Sequence, residues 1–300
     1  MSYSQESITF ESEGLNCKGW LYIPDGEDKT KMPAIVMAHG FSAVKEMHLK
    51  NFAEKFSENG FIVLVFDYRF IGESEGEPRQ HVIPAEQHKD YKNAISWISS
   101  HEKVDENRIG IWGSSYSGGH VLHIGAVDPR VKAVVSQAPL ANGWKNAQRL
   151  MRADIFQGFI QSLSDYRLAR YNGGEIQHVP VVAPEGEASA LPTPDSLEWF
   201  TKTGETIAPT WKNEVTLETM EAFLEYNPSS AIELISPTPL LMVVADNDTL
   251  TPTDLAIEAF EKAREPKKLV IIPGGHFDAY TEPGLSHSLP PQLDWFKEHL

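Results

Sequence analysis

In RIGIWGSSYSGGHVL (residues 108–122), an apolar run ends at Trp112-Gly113. Ser114, Ser115 and Ser117 follow, then a glycine pair and a second apolar stretch. This order suits a strand, a sharp turn and a helix that together hold out a nucleophilic serine. So tight a turn needs small residues two before and two after the nucleophile. Ser115 has Gly113 and Ser117 in those places, and Ser117 has Ser115 and Gly119. Ser114 has the bulky Trp112 two before it. The apolar run stops at Gly113 and the turn should follow at once, so Ser115 is the preferred nucleophile. Ser117 then stands where glycine is usual.

A serine nucleophile needs a base, a group to orient the base, and donors for the oxyanion that forms on the attacked carbonyl. In TPLLMVVADNDTLTP, Asp246 and Asp248 lie just beyond an apolar run. Asp248 is preferred because it stands in the loop, where its side chain can reach across. The plainer alternative is that both cap the next helix or close a turn. In KKLVIIPGGHFDAY, His276 follows an apolar run and a Gly-Gly turn, and the chain order Ser, Asp, His agrees with this type of elbow. Two backbone N–H groups should bind the oxyanion. One belongs to Tyr116, the residue after the nucleophile, and the other to Phe41 in the turn His39-Gly40-Phe41 after VMAHG.

Other residues compete for roles. His120 and His123 have the i, i+3 spacing of a shared metal, but their apolar helix favours packing, and no metal site is expected. Glu46 in FSAVKEM is a candidate to line the site, with a solvated loop carboxylate as the plain alternative. Asp67 and Arg69 are expected to form a local ion pair. Neither a dinucleotide fingerprint after a strand nor a P-loop is present, so no cofactor is expected.

These residues require elements to position them. SITFES and LNCKGWLYIP read as strands around a Glu13-Gly14 turn. PAIVMAHG, FIVLVFDYR, RIGIWG and VKAVVSQAP read as buried strands, alternating with helices HLKNFAEKFSENG, AEQHKDYKNAISWISS and YSGGHVLHIGA. TPLLMVVAD, DLAIEAFEKAR, KKLVIIPGG and LPPQLDWFKEHL continue the alternation, which is the signature of a doubly wound, mostly parallel sheet. Residues 140–235 interrupt it and read as a cap inserted into a core made of residues 1–139 and 236–300. HVPVVAPEGEASALPTPD within it reads as an extended loop. The cap carries Trp144, Phe156, Phe159, Trp199, Phe200 and Trp211. Trp144, Phe156 and Phe159 are its substrate-binding candidates, with Phe156, Phe159 and Ile160 sharing one helical face.

Composition narrows the partners. The formal charge of the 300-residue chain is -16, which disfavours nucleic acid and anionic lipid as partners. Cys17 is the single cysteine, so no intrachain disulfide forms. With no signal peptide at the start and no apolar run near about 18 residues, a soluble cytoplasmic protein is expected. Homo-oligomerisation is left open.

The strings VMAHGF, VFDYRFIGESEG, IGIWGSSYSGG, ADNDTLTP and GGHFDAY stand in the order of the α/β-hydrolase superfamily, and this resemblance covers nearly all of the chain outside residues 140–235. DTLTP is similar to the acid-bearing loop of many such enzymes, which supports Asp248 over Asp246. WGSSYSGGHVL and GGHFDAY more narrowly resemble a dienelactone hydrolase-like group that includes acetyl xylan esterase-like and polyketide transferase-like hydrolases. The resemblance implies an α/β-hydrolase fold and a cofactor-free Ser115–Asp248–His276 acyl-enzyme mechanism on a small-molecule substrate. The expected function is cleavage of a carboxylic ester or related acyl bond. Acyl transfer and carbon–carbon bond hydrolysis are alternatives on the same triad, and a non-catalytic ligand-binding protein is a third.

Overall fold

The computed structural model describes residues 2–26 and 31–300. β1 (Tyr3–Ser12) and β2 (Leu15–Pro24) form an antiparallel hairpin with Ser12 opposite Leu15. Glu13 and Gly14 between them both have positive φ, 52° and 82°, the backbone that lets a two-residue turn follow strand twist. β1 starts earlier than SITFES because ladder bonds to β2, rather than burial, hold its mostly exposed first residues extended.

The alternation follows as read: β3 (Met32–Ala38), α1 (Leu49–Glu58), β4 (Ile62–Phe66), α2 (Pro84–Ser99), β5 (Val104–Ser114), α3 (Tyr116–Val127) and β6 (Val131–Gln137). The chain then leaves the sheet through α4 (Gly143–Leu150), α5 (Ala153–Tyr171), β7 (His178–Val179), α6 (Pro194–Thr206), β8 (Val215–Thr216) and α7 (Leu217–Glu225). It returns with β9 (Leu240–Ala245), α8 (Thr253–Lys262), β10 (Lys267–Ile272) and α9 (Leu285–His299). α9 begins a turn earlier than LPPQLDWFKEHL, so Pro290 and Pro291 lie inside it.

Among the described residues the sheet has eight strands in the order β1-β2-β4-β3-β5-β6-β9-β10, parallel from β4 to β10. α1 and α9 cover one face, where Phe56 meets Phe296 edge-on at 5.4 Å. α2, α3 and α8 cover the other. Every residue of β4 and β9 is buried, which explains their unbroken apolar runs. Each fully buried Leu, Ile, Val or Phe contributes roughly 1.5–3 kcal/mol. The chain runs from β3 to β4 on one side and returns to β5 on the other. Ligands bind in such sheets where the strand order reverses, beyond the strands' carboxyl ends. Here that point brings the turn after β3 beside the turn after β5.

Residues of the insertion, among them Phe156, Leu163, Val181, Phe200 and Phe223, share one continuous buried cluster with Ala38, Phe41 and Tyr116 of the sheet layer. The segment read as an extended loop is irregular beyond β7 but anchored. The Asn213 side chain binds both the N–H and the C=O of Val182 at 2.9 Å, and Leu191 N–H donates to the Val181 carbonyl. No helix among the described residues is long and apolar enough to cross a membrane.

Candidate active site

β5 ends at Ser114 and α3 starts at Tyr116, so Ser115 is the entire turn between them. Its backbone sits at φ 59°, ψ −116°, a sparsely populated region for a residue with a side chain. The surroundings enforce it. A Cβ on Gly113 would lie 2.1 Å from the Ser117 carbonyl oxygen, and one on Gly119 would lie 2.6 Å from that of Leu140. The Ser115 carbonyl accepts from the Gly119 and Leu140 N–H groups, and its own N–H donates to Gln137.

Ser117 occupies a different environment. It is fully buried. Its hydroxyl donates to the His39 carbonyl and lies 2.7 Å from the Tyr68 hydroxyl. The serine found where glycine is usual therefore ties the elbow to the turn after β3, while Ser115 lines an open cleft.

That neighbouring turn is pressed against Ser115. A Cβ on Gly40 would lie 2.7 Å from the Ser115 Cβ, so glycine is needed for the approach. His39 holds the turn: its Nε2 donates to the Met47 carbonyl at 2.6 Å and its Nδ1 accepts the Gly40 N–H at 2.7 Å. Burial pushes the His39 pKa down to about 3, so the ring is neutral at pH 7, as one donating and one accepting nitrogen require. With Gly40 N–H bound to His39, the backbone N–H groups of Phe41 and Tyr116 have no hydrogen-bond partner among the described residues.

His276 and Asp248 meet across the same edge. His276 Nδ1 lies 2.8 Å from Asp248 Oδ2, and both residues are buried. The other carboxylate oxygen, Oδ1, accepts from the Leu250 and Thr251 N–H groups at 3.0 and 2.8 Å. Thr251 Oγ1 lies 3.0 Å from Oδ2 and 3.1 Å from His276 Nδ1. The second threonine of DTLTP thus braces the pair, a role that sequence reasoning missed. Asp246 is exposed and accepts the Gly274 N–H at 3.0 Å. It ties the loop after β9 to the Gly-Gly turn after β10.

Ser115 and His276 line one narrow cleft. Phe41, Phe277 and Tyr280 contribute from the sheet edge, and Leu191, Trp199 and Phe200 from the insertion. Trp199 stacks on Phe277 at 4.7 Å and also packs against His39. None of the substrate-binding candidates Glu46, Trp144, Phe156 and Phe159 is among the lining residues. Glu46 pairs with Lys45 at 2.7 Å. Trp144 is half-exposed with its ring edge-on to a buried Phe156, and Phe159 packs against the core. The face of α5 that carries these aromatics packs within the insertion. The loop before α6, and α6 itself, supply the wall.

The expected Asp67–Arg69 pair does not form. Arg69 reaches Asp90 on α2 (2.6 Å), and Asp67 takes the Lys45 ammonium (2.9 Å). Both residues lie in the loop beyond the end of β4, where each side chain finds its partner on another segment of the chain. His120 is buried against the Tyr226 hydroxyl and Gln87 Oε1, at 2.7 and 2.8 Å, and His123 stacks on His88. Among the described residues, Glu46, Asp67 and Glu73 form the one acidic or histidine group with cation-ligand spacing, and the Lys45 ammonium already reaches all three.

The X-Pro dipeptidyl-peptidase (S15) family matches residues 14–278. The chain belongs to this family of α/β-hydrolases. The hydrolase is 32% identical to the quorum-quenching protein AidA of Acinetobacter baumannii (strain MDR-ZJ06), over 97% of this chain and 93% of AidA. It is 30% identical to the polyketide transferase grgF of a Penicillium species, over 96% of this chain and 94% of that one. The crystal structure of that protein matches with a TM-score of 0.81, covering 100% of the hydrolase and 99% of its relative. The thiohydrolase aneE of Aspergillus aculeatus is 32% identical over 86% of the hydrolase and 81% of aneE. The superfamily resemblance read from the motifs, including its polyketide transferase-like branch, agrees with these matches.

Proposed function

We propose that this hydrolase cleaves a carboxylic ester, or a closely related acyl bond such as a thioester, of a small-molecule substrate. Ser115 Oγ attacks the acyl carbon while His276 Nε2 takes its proton. Asp248 holds the imidazole with Nδ1–H directed at Oδ2 and stabilises the charge that forms. The carbonyl oxygen becomes an oxyanion between the Phe41 and Tyr116 N–H groups, which are fixed in place before the reaction. The tetrahedral intermediate collapses, His276 gives the proton to the leaving group, and the acyl group stays on Ser115. Water, deprotonated by His276, then attacks that ester and releases the acid. Residues 140–235 act as a cap whose Leu191, Trp199 and Phe200 select the acyl or leaving group.

The observation that carries this reading is the His276–Asp248 pair at 2.8 Å on the same cleft as a serine held at positive φ. A panel of activated esters and thioesters of increasing chain length tests it. The wild type is expected to turn over at least one of them, and Ser115→Ala to lose at least about 10³-fold in kcat. Undiminished turnover by Ser115→Ala would refute the assignment. Two relatives carry the names polyketide transferase and thiohydrolase, so products are identified with and without an alcohol or amine acceptor. Transfer to the acceptor in preference to water makes the enzyme an acyltransferase on the same residues.

A further inference from the structure

We propose that Lys45 is the positioning residue that holds the oxyanion-binding turn in place, so that the Phe41 N–H faces the reacting carbonyl. This rests on the acyl-transfer reading above. The segment between β3 and α1 carries Phe41 and leaves the sheet directly beside Ser115. Few backbone bonds fix it: Ala43 to Gly40, Met47 to Val44 and His48 to Glu46. Ser42, next to Phe41, stands at φ 57° and its buried hydroxyl has no partner.

His39 and Ser117 hold its start, and a second fastening lies at its middle. The Lys45 side chain is 1% exposed, and its ammonium lies 2.7 Å from Glu46, 2.9 Å from Asp67 and 2.6 Å from Glu73. Glu46 belongs to the same segment, whereas Asp67 and Glu73 belong to the loop that leaves the neighbouring parallel strand β4. The Lys45 backbone N–H also donates to Asp67 Oδ1 at 2.7 Å, and the Glu73 N–H donates to Oδ2 at 3.2 Å. Gly72 presses on that carboxylate, since a Cβ there would lie 2.4 Å from Oδ2. One ammonium thus joins the two loops at the carboxyl ends of adjacent strands.

The three carboxylates offer oxygens within 4.8 Å of one another, the spacing of a divalent-cation site. The lysine supplies a covalently tethered cation at that place. Removing it leaves the buried Asp67 carboxylate without its cation beside two more exposed glutamates, and the repulsion is relieved by moving the loops. A donor moved by about 1 Å costs on the order of 10²-fold in rate, and loss of an oxyanion donor costs about 10²–10³-fold in kcat. Leu191, Trp199 and Phe200, on the other side of the cleft, lie outside this segment, so ground-state binding is expected to change much less than the rate. Lys45 does not touch the reacting atoms.

The test compares wild type, Lys45→Met, Lys45→Arg and Ser115→Ala as full chains, on the best ester of the panel. Circular dichroism and thermal melts establish folding. Folded Lys45→Met is expected to lose about 100-fold in kcat with KM changed by less than about threefold. A trifluoromethyl ketone, whose Ser115 adduct carries an oxyanion, should bind it more weakly by the same factor. Lys45→Arg should recover part of the loss. A folded Lys45→Met with wild-type kcat, or with the loss confined to KM, overturns the proposal. Where Lys45→Met does not fold, Glu73→Gln at the exposed partner is read instead. A several-fold fall in kcat at constant KM supports positioning, and an unchanged kcat reduces Lys45 to a structural residue and overturns it. A wild type without turnover, or an active Ser115→Ala, would break the underlying acyl-transfer reading. With both controls as expected, only the role of Lys45 is at stake.

Discussion

At the scale of single residues, aspartates two positions apart at the end of β9 have unlike surroundings. Asp248 is buried against His276 and holds three donors from its own loop, whereas Asp246 faces solvent and links that loop to the turn after β10. Asp248→Asn places an amide where a carboxylate must accept the hydrogen bond of the imidazole Nδ1–H, so it favours the wrong tautomer. Its kcat is expected to fall by about 10⁴-fold, as in other triads, while Asp246→Asn loses less than about tenfold. Parallel steady-state kinetics on both variants check this, and the reverse ranking would reassign the acid. The Ser115 turn and the contact between Asp248 and His276 were legible because each of the three residues lies within a few positions of the end of an apolar strand. Arg69 was misread because its partner Asp90 lies on α2, and a pairing between distant elements leaves no trace in local spacing.

At the scale of elements, the strands and the helices flanking the sheet could be read because burial on one or both faces writes a period into the sequence. The insertion could not be read in the same way. Periodicity in DIFQGFI marks a buried face but does not say whether that face meets the substrate or another helix. Phe156 packs against Trp144 of α4, and the cleft wall came from Leu191, Trp199 and Phe200. Trp199→Ala should therefore reorder the kcat/KM values of bulky and small esters, because a lost contact costs most for the substrate that fills it. A single methylene is worth about 1–3 kcal/mol, so loss of an indole is expected to shift the bulky-to-acetyl ratio by more than about tenfold. Phe159→Ala should lower thermal stability and leave the ratio within about twofold. Equal losses on both esters for Trp199→Ala would make the α6 wall structural rather than selective.

At the scale of the whole molecule, buried neutral histidines set the response to acid. Burial lowers the pKa of His39 and His88 to about 3, and that of His120 well below its ordinary value. An unfolded chain protonates these rings near pH 6.5. Below that pH the unfolded state binds more protons than the folded one. The stability these groups confer is complete above about pH 6.5 and is lost as pH falls toward 3, by about 1.4 kcal/mol per pH unit for each ring. Asp67 works in the opposite sense. Its burial raises its pKa to about 6, so its contribution is lost as pH rises through that value, and it offsets only one ring. The melting temperature is expected to drop between pH 7.5 and 5.5, and His88→Gln should make the drop shallower. A melting temperature that is flat or rises over that interval would contradict the neutral-histidine assignment.

Trapping the acyl-enzyme reaches the chemistry most directly. The protein is mixed with an activated ester that deacylates slowly, quenched in acid within the first turnovers, and mapped by peptide mass spectrometry. The account predicts one acyl group per chain, carried on Ser115 and absent from the Ser115→Ala protein. An acyl group on Ser117, or turnover with no adduct on any serine, would contradict it.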